Sequence, residues 1–479
     1  MKLSKEFYGD NKPLEWQEKF VEIFDKHGSA IAHAEAGSGK TFAAIQAYRL
    51  QCMKEKRLLN TIIYTPLITL RNWKEEFLKF SKIKEKDIVI VTGTKAKKLK
   101  ALDSGSPKIY ITNYETVISK EAEAALSEME FDFAIFDEMH YCKTHNSKRS
   151  KSILRLTESI PHKIQLTGTP LLNNAADLYM QYRIFDGGET FGKSFYTFRS
   201  MYMEDQNAHF AHLQNHFPKW VTKKSMYEVL HAKMYAKGIR VLKKDCLSLP
   251  PLVKQSLLVP MSSEQKKHYK HMKRDFITFI EDNNETKAVV ATVAATKALR
   301  LMQICSGHMI DEEGGTIDLG MTPKYKACKD KLEQILQQVG SQVILWCSFK
   351  HDYVTLAKMC KELNEPYSMI TGAMSSTQKF DDIELFNTAK TRIMIANRRA
   401  GGIGINLVGA NYSIVWSRNF SLGEEIQSEA RNYRRGSERH ESITKYDLVC
   451  EDSIEQHVME SLQGKKDLSK NVIDLVKAL

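Results

Sequence analysis

The sequence predicts an α/β protein built as two parallel-sheet domains with helical insertions. Short apolar runs rich in β-branched residues recur through the first third of the chain, each followed by a stretch long enough for a crossover helix. The same alternation returns in the last third. At 479 residues the chain also exceeds what one ordinary core serves.

In the first half the runs are SAIAHA (29–34), TIIYTPL (61–67), DIVIVTG (87–93), KIYIT (108–112), DFAIFD (132–137) and HKIQLTG (162–168). In the second they are SQVILWCSF (341–349), YSMITG (367–372), TRIMIAN (391–397), YSIVW (412–416) and ITKYDLV (443–449). Between the first two of these, HDYVTLAKMCKEL places Val354, Ala357 and Met359 at helical spacing beside Cys360. The middle is rich in aromatics, Met and Lys and poor in strand runs, so it reads as helical insertions. This gives a first domain over 1–244 with an insertion at about 184–238, and a second over 245–479 with an insertion at about 265–320. Leu249-Pro250-Pro251 marks a stiff, extended connection between them.

Composition narrows the class. Hydrophobic content of 42% and charged content of 27% describe a soluble globular chain. No apolar run approaches the roughly 18 to 20 residues of a membrane span, and the N-terminal stretch lacks a secretory signal's apolar core. Eight scattered cysteines form no CxxC pair, which argues against a zinc or disulfide framework and suits a reducing cytoplasm. The net charge of +12 points to a polyanionic partner, with basic clusters at Lys95–Lys100, Lys143–Lys151 and Lys219–Lys244.

AEAGSGKT (34–41) sits just after a strand and just before a helix. A phosphate cradle needs backbone N–H groups that face inward, which Gly37 and Gly39 allow around Ser38. Lys40 then reaches the β/γ-phosphates, and the Thr41 hydroxyl can hold Mg²⁺. Ala34 stands where the general pattern has its first Gly. FAIFDEMH (133–140) ends a strand on two carboxylates: Asp137 is placed to hold Mg²⁺, and Glu138 to polarise an attacking water. LTGTP (166–170) adds the hydroxyls of Thr167 and Thr169 nearby.

Far along the chain, EEIQSEARNYRRGSERH (424–440) groups Arg431, Arg434 and Arg435. Residues three apart share a helix face, so Arg431 and Arg434 are expected to point together and Arg435 away. Phosphoryl transfer is accelerated by positive charge on the transferring group, and the first half offers no obvious arginine for it. With ATP in a cleft between the domains, Arg431 and Arg434 are expected to act as fingers that arrive on closure.

Assembled in this order, these motifs resemble the superfamily-two helicases, and among them the Swi/Snf-type DNA translocases, over almost the whole chain. PLEWQ is similar to the family's adenine-reading motif, which implies Gln17 as reader. TPLITLRNWKEEFLKF, YITNYETV, the FDEMHYCKTHNSK box and LTGTPLLNNAADLY each resemble family blocks. So do the linker around LPPL and LRLMQICSGH. RRAGGIGINL resembles motif five and QSEARNYRRGS motif six, which implies Gly404 and Gln427 at the nucleotide. The resemblance implies RecA-like domains, ATP with Mg²⁺, and DNA contacts from Thr65, Asn72, Thr112, Thr371 and Arg399.

Departures exist as well: AEAGSGKT stands for the usual DExGLGKT, Ser437 for motif six's last Gln, and WSRNFSLGEEIQ for an Asp…Trp-Asn-Pro run. The compact form is similar to bacterial and bacteriophage branch-migration helicases. It implies work on bare, forked or branched DNA in the cytoplasm, or in a nucleus if the source is eukaryotic, with no membrane and no protein partner evident. Alternatives are a DExH RNA helicase, the motor subunit of a restriction-type system, and a non-hydrolysing switch that senses ATP.

Overall fold

The structure, a computed structural model, describes residues 5–8, 11–105, 108–168, 175–208, 218–282, 287–311, 313–401 and 405–463. The chain divides into two compact units, Met1–Leu247 and Ser248–Leu479.

In the first unit the strands are β1 (Ser29–Ala34), β2 (Thr61–Thr65), β3 (Ile88–Val91), β4 (Ile109–Asn113), β5 (Phe133–Asp137) and β6 (His162–Thr167). An antiparallel hairpin, β7 (Met203–Asp205) with β8 (Trp220–Thr222), and β9 (Gly238–Val241) follow. The main sheet runs β3-β4-β2-β5-β6-β1-β9, with every pairing parallel. Parallel strands end on one edge, which collects the segments after β1, β2, β5 and β6. Two apolar clusters cover the sheet. One holds Phe20, Phe24, Trp73 and Phe77; the other holds Tyr64, Phe136, Leu178 and Tyr182. Helix Glu15–His27 shows how local sequence sets an element. Glu15 and Glu18 suit its positive end, Lys26 and His27 its negative end, and Gly28 takes the left-handed φ of 68° that lets its N–H close on the Phe24 carbonyl.

The second unit contains β10 (Leu252–Val259), the hairpin β11 (His308–Ile310) and β12 (Thr316–Asp318), and then β13 (Val343–Cys347). After them come β14 (Tyr367–Ile370), β15 (Ile393–Asn397), β16 (Tyr412–Val415) and β17 (Ile443–Cys450). The sheet is again parallel, in the order β10-β17-β16-β13-β15-β14.

Four expectations are corrected. Residues 184–238 are only partly helical, because β7, β8 and β9 lie among the helices, and β9 extends the main sheet. Residues 265–320 hold two long helices, Ser263–Asp282 and Lys287–Cys305, but also the β11–β12 hairpin. The segment after Pro251 is no mere connection: β10 pairs with β17 over its whole length, from Leu252 opposite Ile443 to Val259 opposite Cys450. Its side chains are largely exposed, so no alternation announces it; backbone pairing makes the strand. Val354, taken as part of an apolar face, is exposed, while Leu356, Met359 and Cys360 of helix Lys350–Glu362 are buried.

The second unit buries charge. Lys324 Nζ meets both Glu455 oxygens at 2.7 and 2.8 Å, with neither side chain open to solvent, and the Cys450 N–H adds a bond of 3.0 Å. Burial alone would lower the Lys324 ammonium; the Glu455 carboxylate more than reverses this. Lys324→Met should therefore strand an uncompensated carboxylate and destabilise the second unit by about 3 to 5 kcal/mol. Adding Glu455→Leu should recover much of that loss. Denaturant unfolding of the single and double variants checks both statements.

Candidate nucleotide site

The segment after β1 turns back sharply, with φ of 86° at Gly37 and 90° at Gly39. A Cβ at Gly39 would lie 2.6 Å from the end of the Gln17 side chain, and the left-handed φ of 90° is what calls for glycine. Gln17 is buried and pins this loop: its amide donates to the Gly39 carbonyl at 3.0 Å while its oxygen accepts the Leu14 N–H at 2.8 Å. The carboxamide that the resemblance gives to adenine thus also ties helix Glu15–His27 to the loop. Ser38 is fully buried, and its hydroxyl has no partner among the described residues. Lys40 opens helix Lys40–Glu55, with Thr41 half-buried behind it. The Lys40 ammonium rests on the Ala34 carbonyl at 3.0 Å and on Glu138 at 3.5 Å.

Asp137 closes β5 and is the best-anchored acid of the site. Thr65 Oγ1, at the end of β2, donates to its Oδ2 at 2.9 Å, as does Trp73 Nε1 from helix Leu70–Phe80. Tyr114, just past β4, donates to its backbone carbonyl at 2.8 Å. Both side-chain donors land on Oδ2, which leaves Oδ1 without a protein donor among the described residues. Burial first, then the adjacent Glu138 charge, push the Asp137 carboxyl up; Lys40, Trp73 and Thr65 oppose them. Glu138 follows in the left-handed region, with φ 53° and ψ 52°. For a non-glycine residue this costs on the order of 1 to 3 kcal/mol, and such strain concentrates at functional sites. It turns the carboxylate toward Lys40 on one side and His140 Nδ1, 3.2 Å away, on the other.

The sequence missed several of these partners. Trp73 stood inside a quoted block, but only the fold brings its indole N–H to Asp137. Glu35 accepts the Lys243 N–H at 2.8 Å, which joins the loop to the segment after β9. Of the Thr167–Thr169 pair, Thr167 is buried at the end of β6, and Thr169 lies outside the described residues.

The proposed DNA contacts fare unevenly. Thr65 is committed to Asp137 and Thr69. Thr112 is buried on the Val91 carbonyl and Thr116. Neither hydroxyl faces solvent. Asn72 donates to Glu76 at 3.0 Å, and Thr371 is buried just past β14. Arg399 is exposed beyond β15.

In the second unit the helix carrying Gln427 spans Leu422–Glu429, so the arginines lie beyond it and not on its face. Past it the turn tightens: the Arg431 N–H bonds the Ser428 carbonyl three residues back, while the Arg431 carbonyl accepts the Leu407 N–H at 3.0 Å and Asn432 donates to Ala410. Arg431 and Arg434 nevertheless converge: each directs Nη1 at the Ile405 carbonyl, at 3.3 and 3.5 Å. Arg431 Nε also holds the Gln427 carbonyl at 3.0 Å. Arg435 is exposed. Gly404 lies outside the described residues.

Residues 13–309 match the family model described as SNF2-related domain, and residues 324–436 match the helicase conserved C-terminal domain. The chain belongs to the SNF2-related family. It is 25% identical to the CHD3-type chromatin-remodeling factor PICKLE of Arabidopsis thaliana, over 95% of this chain and 33% of the relative. It is also 25% identical to the chromatin structure-remodeling complex subunit snf21 of Schizosaccharomyces pombe, over 97% of this chain and 39% of the relative. The chain thus spans about a third of the length of the curated relatives it matches. It is similar as well to the solved Sulfolobus solfataricus SWI2/SNF2 ATPase core in complex with dsDNA, with 22% identity, 99% of this chain, 95% of that chain and a TM-score of 0.45.

Family membership implies ATP use, typically with Mg²⁺. The residues present fit both: a buried unpartnered Ser38 hydroxyl and a displaceable Lys40 ammonium suit phosphate, while the open Asp137 Oδ1 and the Thr41 hydroxyl could hold the ion. Trp73→Phe keeps the ring but removes the donor, and Thr65→Val does the same for the hydroxyl. Each should weaken metal use by roughly 10- to 100-fold, as loss of partners behind a metal ligand does. A Mg²⁺ titration of ATP turnover checks this, with exposed Glu75→Gln expected to match the unaltered chain.

Proposed function

We propose that this chain is a DNA-stimulated ATPase that translocates along DNA and remodels forks or junctions by branch migration. The observation that supports it most is the convergence of Lys40, Asp137 and Glu138 at one sheet edge, with Glu138 strained toward Lys40. In this mechanism Lys40 leaves the Ala34 carbonyl for the β/γ-phosphates, since a phosphate outcompetes a neutral acceptor for an ammonium. Glu138, released from Lys40 and still beside His140, polarises the attacking water. Bound Mg²⁺ would neutralise charge on the phosphates, held by Thr41 and by Asp137. Arg431 and Arg434, already side by side on the Ile405 carbonyl, supply positive charge to the transferring group. Gln427 joins the nucleotide from the same segment, and Gln17 reads the adenine.

DNA as the track is supported by the +12 charge and by the relatives named for chromatin remodelling. Exposed Arg399 and half-buried Asn72 are the expected backbone contacts. The eight cysteines, all free, support a reducing cytoplasm as its location. Remodelling of nucleosomes is a second reading, favoured by the names of those relatives. Phosphate release measured on linear, forked and four-way DNA, and on nucleosomes, tests the choice. Highest turnover on branched DNA is expected; preference for nucleosomes would overturn branch migration, and stimulation by RNA alone would overturn the DNA assignment.

Glu138→Gln should keep ATP binding and stop turnover. Arg434→Ala should lower turnover by roughly a thousandfold or more with DNA affinity almost unchanged. Arg434→Lys should not restore it, because a point ammonium lacks the planar fork. Lost DNA binding with normal turnover at saturating DNA would instead make Arg434 a phosphodiester contact. DNA affinity should fall with salt at a log–log slope of roughly 0.7 to 0.9 per phosphate contact, whatever the base sequence.

A further inference from the structure

The first unit carries an aromatic and cationic stack outside the nucleotide site. Helix Phe195–Tyr202 places Phe195, Tyr196 and Arg199 on one side by its three- and four-residue spacing. The Arg199 guanidinium lies 5.9 Å from the Phe195 ring, 5.3 Å from the Tyr196 ring and 4.2 Å from the Trp220 ring. Trp220 reaches it because β7 and β8 pair Asp205 with Trp220. At the other end His145, seven residues past Glu138, stacks on Phe195 at 3.7 Å with ring planes 12° apart.

The stack has a buried side and an open side. Phe195 also packs edge-on against Tyr179, 5.3 Å away, so it roots the array in the unit's core. Tyr196 is 69% exposed, and Met201 on the same helix is open too. Exposed Lys193, Lys219 and Lys224 neighbour these elements in sequence, against exposed Glu204 and Glu228. Lys223 donates to the Ser200 and Met201 carbonyls, which settles the helix's negative end.

We propose that Tyr196 is a stacking platform for an unpaired DNA base, with Arg199 and Trp220 as its floor. An exposed ring needs no cation beneath it for stability. A guanidinium set against three rings ties the Tyr196 ring to its neighbours and adds charge that favours a polyanion. Every base has a π-face, so the contact tolerates any sequence. The lysine surround suits phosphodiester better than an acidic peptide's scattered carboxylates, and a DNA motor working at forks meets unpaired bases. The proposal rests on the reading of the chain as a DNA motor and adds to it a site that distinguishes branched from blunt DNA. His145 ties the platform to the loop that follows Glu138.

The test uses the full chain and a fork with one 2-aminopurine in its unpaired arm, beside a blunt duplex and a glutamate-rich peptide. Binding of the fork should quench the 2-aminopurine, and Tyr196→Ala should abolish the quench and weaken fork binding by roughly 5- to 100-fold. Tyr196→Phe should retain both, and blunt-duplex affinity should be unchanged in either variant. Because Tyr196 is exposed, thermal melts should coincide; Arg199→Ala should give a smaller loss of the same sign. Unchanged fork binding and quench in Tyr196→Ala overturn the platform. So does Tyr196-dependent binding of the peptide without Tyr196-dependent binding of the fork. Should wild-type ATPase prove indifferent to all DNA while the quench depends on Tyr196, the motor reading falls and the platform stands.

Discussion

The Asp137 carboxylate is the point on which the first unit's functional edge depends. A buried anion is tolerated only with donors, and here they come from three places: the end of β2, helix Leu70–Phe80 and, through its main chain, the residue after β4. These bonds fix the ends of neighbouring parallel strands relative to one another. Because both side-chain donors choose Oδ2, the group is locked in rotation while its other oxygen stays open. Burial first, then the adjacent Glu138 charge, raise the affinity of this carboxylate for a proton.

The phosphate loop and Glu138 are strained against that fixed point. Gly37 and Gly39 take backbone angles that side chains resist, and Gln17 closes on the space a Cβ would need. Glu138 takes such angles with a side chain. Lys40, meanwhile, is satisfied by a carbonyl and a carboxylate that a phosphate can replace. The edge is therefore rigid around Asp137 and exchangeable around Lys40.

The second unit solves a similar problem with a different acid. Asp352 is fully buried and accepts from Ser306, Ser417, Trp416 and the Phe349 N–H, so it ties the helical insertion to the ends of β13 and β16. Glu425 is held by Arg398 and Lys445, and Asp447 by Arg418, all nearly buried. Burial would raise the Glu425 carboxyl; Arg398, Lys445 and Arg418 bring it well below its ordinary range. This cluster braces the helix that leads to Arg431 and Arg434. It uses the stretch where the chain departs from the family's usual run, and it explains Arg418 and Glu425 there.

The sequence alone marked most strands of the two main sheets, the glycine loop and the Asp137–Glu138 pair. Apolar runs of strand length and a glycine loop between strand and helix are local signals, carried by consecutive residues. What only the tertiary structure decided are the pairings between distant residues. Trp73 and Thr65 meet Asp137 because parallel strands end on one edge, and Thr65 and Thr112 are buried there. The helix expected to carry Arg431 and Arg434 stops at Glu429, and the Arg431 carbonyl is taken up by the N–H of distant Leu407. β9 and β10 were illegible, since most side chains of each are not buried, and each becomes a strand only through the backbone of a partner far away in sequence.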